Sequence, residues 1–129
     1  MRSRRLLPLL ALLLAGCEPE GLAQACTMEF RIATLVVSDG AGAPVGDATV
    51  QTRRLSTGEI LTPTTLAQFA AGTYPILDDG ATDRLNPAGD SLGVTVARAA
   101  DTLRLTYVFD VPGGCHIRKL SGPDSVTLP

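Results

Sequence analysis

The longest run of strict alternation lies in residues 102–111. Leu103, Leu105, Tyr107, Phe109 and Val111 share one parity, and Thr102, Arg104, Thr106, Val108 and Asp110 the other. Period two of this kind predicts a half-buried strand. Residues 91–98 alternate in the same way, with Leu92, Val94 and Val96 on one face. Ala99-Ala100-Asp101 joins the two runs as a short hairpin connection. Residues 30–37 are more continuously apolar and end at the turn signal Ser38-Asp39-Gly40. Residues 49–55 are β-prone and end at Ser56-Thr57-Gly58. Shorter candidates are 59–62, 66–69, 73–77, 116–120 and 125–128. Residues 66–71 could instead form one helical turn. No stretch carries an apolar stripe at helical spacing over three turns. Seven to nine short strands with frequent turns, and no repeat, predict a single all-β sandwich.

The first residues have a different character. Arg2, Arg4 and Arg5 precede the apolar run 6–14, and Leu14-Ala15-Gly16-Cys17 follows. This is the layout of a signal peptide, and the run is too short to span a bilayer. Leu14-Ala15-Gly16-Cys17 resembles a bacterial lipobox. The resemblance implies cleavage before Cys17, lipidation of Cys17 and a membrane anchor. In a bacterium with an outer membrane Glu18 after it implies sorting there, and in one with a single membrane the domain faces outward from it. Residues 1–16 are then the leader, 17–25 the lipidated cysteine with its tether, and 26–129 the domain. At ~3.3–3.6 Å per residue, the tether holds the domain within about 30 Å of its membrane.

Removing Arg2, Arg4 and Arg5 takes the formal net charge from −2 to −5. An acidic domain gains nothing from counterion release at nucleic acid. Five aromatic residues and no Trp leave no stacking platform for bases, and disfavour sugars for the same reason. With Cys17 lipidated, Cys26 and Cys115 remain in an oxidising compartment. A disulfide between them is the simplest reading; two free thiols are the alternative.

The run 37–50, VSDGAGAPVGDATV, carries a further resemblance. Asp39, Gly42, Pro44, Val45, Ala48 and Val50 match the D-x-x-G-x-P-V-x-x-A-x-V hairpin of the carboxypeptidase regulatory-like domain, a member of the transthyretin-like sandwich group. Gly72-Thr73-Tyr74 resembles that family's G-x-Y strand start, and Cys115-His116 resembles the late Cys-His of its lipoprotein members. The resemblance spans residues 29–128. It implies a Greek-key sandwich of about seven strands, no catalytic residues, and an accessory, structural or recognition role.

Three constellations are candidates for chemistry. Gly89-Asp90-Ser91-Leu92-Gly93 has the G-x-S-x-G spacing of a nucleophile elbow, and its letters match GDSL-type esterases. An elbow needs a helix after the serine, whereas Ser91 opens a strand. The one histidine, His116, has Gly113 rather than an acid three residues before it. His116 is expected beside the disulfide, with its ring at the sheet surface. Asp78, Asp79 and Asp83, with Asp90, form an acidic loop and a weak calcium candidate, without EF-hand spacing. Arg53-Arg54 and Arg118-Lys119 are expected as solvated pairs. No cofactor is implied. The expectation is a lipid-anchored, extracytoplasmic, non-catalytic module that recognises an envelope protein. A glycan- or cell-wall-binding module is the alternative, and an esterase a remote one.

Overall fold

A computed structural model describes residues 25–129. They form an all-β sandwich of two sheets. The strands are β1 (Ile32–Ser38), β2 (Thr49–Arg54), β3 (Ile60–Leu61), β4 (Thr73–Asp78), β5 (Asp90–Arg98), β6 (Asp101–Asp110), β7 (Arg118–Ser121) and β8 (Ser125–Thr127). One sheet has the order β4-β1-β8 and the other β3-β2-β5-β6-β7. The chain changes sheet after β1, β3, β4 and β7, so strands distant in sequence become neighbours. β4 pairs antiparallel with β1, and β8 parallel with it.

The strongest alternations become the longest strands. β5 and β6 pair from Asp90↔Phe109 to Arg98↔Asp101. Their connection is a two-residue turn, and Ala99 takes a left-handed φ of 52° there. Leu92, Val94 and Val96 of β5 and Tyr107 and Phe109 of β6 are fully buried, with Leu35 and Val37 of β1 facing them. Full burial of each such side chain contributes about 1.5–3 kcal/mol.

The run 37–50 closes as a tight turn. Asp39 Oδ1 accepts from the N–H groups of Ala41 and Ala43 at 2.9 Å, and Gly42 takes φ 81°. Tyr74 then bridges this run to β4. Its hydroxyl donates to Val45 O at 2.7 Å and accepts from Ala48 N–H at 2.9 Å. The two sequence runs that resemble one family are therefore in physical contact.

The candidate strand 66–69 does not form, and neither does the helical turn. Leu66 is 97% exposed. Thr64 and Thr65 donate their N–H groups to the Asp78 carboxylate, and Ala67 N–H bonds Thr65 Oγ1. These bonds satisfy a local turn, so no ladder recruits the segment. The acidic stretch also differs from a plain loop, because Asp79–Arg84 is a 3-10 turn capped by Asp78.

Gly122 lies against the buried Tyr107 ring with φ 121°, a conformation side chains avoid. Gly122→Ala is expected to cost about 1–3 kcal/mol through overpacking, measured by urea unfolding. The same ring predicts a titration. Burial, then the charge of Asp124, pushes the Tyr107 phenol from 10.0 up to about 12. The folded state holds the proton more tightly than the unfolded chain. Its stabilising contribution is therefore complete below pH 10 and falls away between pH 10 and about 12. Tyrosinate absorbance from Tyr107 should appear only near the top of that window.

Candidate functional site

Cys26 and Cys115 form the disulfide, with Cα atoms 5.3 Å apart. Beside it, the chain on both sides of the bridge converges on one carboxylate. Asp79 opens the 3-10 turn after β4, and its side chain is 8% exposed. Its Oδ2 accepts from Arg31 N–H, just before β1, at 2.8 Å, and its Oδ1 from Ile117 N–H, just before β7, at 2.8 Å. The third donor is His116, whose Nδ1 lies 2.7 Å from Oδ2. One acid therefore ties the lead-in of β1, in one sheet, to the lead-in of β7, in the other.

These contacts decide the charge of Asp79. Burial acts to raise its pKa. The bonds from Arg31 N–H, His116 and Ile117 N–H, with the charge of His116, outweigh that and hold it below 3.8. A carboxylate can only accept, so Nδ1 of His116 carries a proton. Nε2 of His116 lies 2.8 Å from Thr27 Oγ1; in the neutral ring it accepts from the hydroxyl. The order carboxylate, imidazole, hydroxyl has the connectivity of an acid–base relay. Here, however, the carboxylate also anchors two backbone segments, and the imidazole follows the bridged Cys115.

His116 is thus not at the sheet surface as expected. Its side chain is 12% exposed, drawn inward by Asp79. No local pattern marks this pairing, because 37 residues separate the two. Thr27, Arg31 and Ile117 were equally hidden, the last two because they act through backbone N–H groups.

The structure separates the other candidates. Ser91 is an exposed residue of β5 opposite Val108, followed by strand rather than helix. Among the described residues no hydrogen bond joins it to His116. Asp78 accepts from Thr64, Thr65 and Gly80 N–H, so its oxygens serve the turn. Asp90 is buried and bonds Arg54 Nε at 2.6 Å and Asn86 N–H at 3.0 Å. Asp83 shares in none of these contacts. Among the described residues no group of three His, Cys, Asp or Glu could hold a metal ion. The basic pairs are partnered rather than merely solvated. Arg53 donates to Gly58 O, Arg118 grips Asp110 with two bonds of 2.6 and 3.0 Å, and Lys119 pairs with Asp124. The Arg118 fork holds the Asp110 carboxyl below its ordinary value. Cys17 lies outside the described residues.

Next to the Asp79 node the sandwich opens into a groove of about 500 Å³. Its one wall is the chain from Glu29 to Thr34; Phe109, Ile117 and Lys119 line the other. Phe30, at its mouth, is 52% exposed. Among the described residues no helix is long and apolar enough to cross a membrane. No protein-family model matches the chain, and no match was found among curated proteins or solved structures.

Proposed function

We propose that this chain is a lipid-anchored, extracytoplasmic, non-catalytic module that recognises a protein of the cell envelope. The observation that carries the reading is the groove beside Asp79. It is an open site in a domain whose nearby polar groups are engaged in holding two sheets together. The disulfide suits an oxidising compartment. The resemblance to carboxypeptidase regulatory-like domains gains support from the crossovers between sheets and from the Tyr74 bridge. Cys17 would carry the lipid, and Glu18 favours the outer membrane.

A protein fits the surface better than a glycan. Sugar sites stack on exposed aromatic faces and hydrogen-bond the hydroxyls with polar side chains. Here, among the described residues, Phe30 is the one exposed aromatic residue at the groove, Tyr107 is fully buried, Tyr74 is bound into a turn, and the charged groups beside Phe30 are paired with one another. Metabolic labelling with an alkynyl fatty acid tests the anchor. Label on the wild type and none on Cys17→Ala is the expected result; an unlabelled wild type contradicts it. Retention on peptidoglycan or polysaccharide resin would favour the glycan reading. Hydrolysis of a short acyl ester, abolished by Ser91→Ala or His116→Ala, would contradict the non-catalytic one.

A further inference from the structure

β8 pairs with β1 only over Val36–Ser38. The first four residues of β1, Ile32 to Leu35, therefore have a neighbouring strand on the β4 side and none on the other. Ladder parity identifies the groups left over. Val36 N–H donates to Asp124 O, and Ser38 O accepts from Leu128 N–H, both on the β8 side. Residues two apart send their backbone groups to the same edge of a strand. Ile32 and Thr34 thus face the open side, while Arg31 and Val37 bond toward β4. Among the described residues no hydrogen bond reaches Ile32 or Thr34 N–H from that side. The groove runs along this edge.

We infer that the groove receives an extended, uncharged segment of a partner protein, which hydrogen-bonds Ile32 and Thr34 and continues the β4-β1-β8 sheet in line with β8. The inference rests on the protein-recognition reading. A row of backbone donors and acceptors is complementary to another backbone, the basis of strand addition to a sheet edge. Four residues offer about 13 Å of edge. The charges at the groove are already paired, Arg31 with Glu29 and Lys119 with Asp124, so no lone charge asks for a charged occupant. Of the rest of the lining, Phe30, Ile32, Ala33, Phe109 and Ile117 are apolar, and Thr34 adds one hydroxyl. Lys119 lies opposite the buried Phe109, so it faces inward from β7 and opposes strand pairing at that edge of the other sheet, not at β1.

Thr34→Pro removes the groove-facing N–H and no N–H used by β4, and Thr34 already stands opposite Pro75. Thr34→Val keeps the N–H and changes only the side chain. The probe is a phage-displayed library of random nonapeptides, panned on the full chain in detergent. Enriched peptides should have apolar residues at every second position. One of them, made synthetically, should bind Thr34→Pro at least tenfold more weakly and Thr34→Val within twofold of wild type. In the wild type, where folding of a variant is not at issue, the same peptide should slow amide exchange at Ile32 and Thr34. Failure to enrich any peptide overturns the inference. Peptides without period two overturn it, as does unchanged exchange at both amides. The envelope-recognition reading is judged separately, by cross-linking in cells, and can stand when this inference falls.

Discussion

Asp79→Ala should destabilise the domain by roughly 3–4 kcal/mol, because it leaves the N–H groups of Arg31 and Ile117 and the ring of His116 without their acceptor. Orphaned donors cost about 1–3 kcal/mol each when buried, and the Arg31 end is the more solvated. At about 4–8 °C per kcal/mol for a domain of this size, the melting temperature should fall by more than about 10 °C. Asp79→Asn keeps one acceptor oxygen and should lose roughly half as much. The acid side of the stability profile should change too. The folded pKa of Asp79 is depressed below its unfolded value of 3.8. Its contribution is therefore present above pH 3.8 and is lost as pH falls through the lower folded value. Denaturant titrations below pH 4 should show a shallower loss for Asp79→Asn than for wild type. Equal slopes would mean that Asp79 is not the tie between the sheets.

Replacing both bridged cysteines, Cys26→Ser with Cys115→Ser, should have an effect of similar or larger size. The bridge spans 89 residues of sequence. Closing a loop of that length stabilises by about 4–5 kcal/mol in the chain-entropy model. The bridge fixes the N-terminal segment next to His116, so its loss should also free Thr27 and weaken the Arg31 bond to Asp79. The two changes share partners and should not add. The double-cysteine variant combined with Asp79→Ala is expected to lose less than the sum of the separate losses. Thermal unfolding of the three variants measures this, and strict additivity would show that bridge and carboxylate act independently.

The strands were legible because burial on one face imposes period two, as in β5 and β6. The run at 37–50 was legible because Asp39, Gly42 and Pro44 meet local backbone demands. The segment 66–69 misled because its apolar residues suggested burial, while the N–H groups of Thr64 and Thr65 and the Thr64 hydroxyl bond Asp78 instead. The disulfide followed from counting cysteines. The Asp79 node could not be read in this way. It joins residues 31, 79 and 116–117 through two backbone donors, and a backbone N–H leaves no mark on residue identity. The groove was hidden for a related reason. It exists because β8 stops pairing at Val36, and that register depends on where Gly122 and Pro123 turn the chain.

Recognition of an envelope protein is tested most directly by cross-linking in intact cells, with the lipidated chain as bait and mass spectrometry as the readout. The account predicts a few specific envelope proteins, recovered with the wild type and lost when Cys17→Ala releases the domain from the membrane. Covalent recovery of wall sugars with no protein partner would contradict it and put the glycan reading in its place.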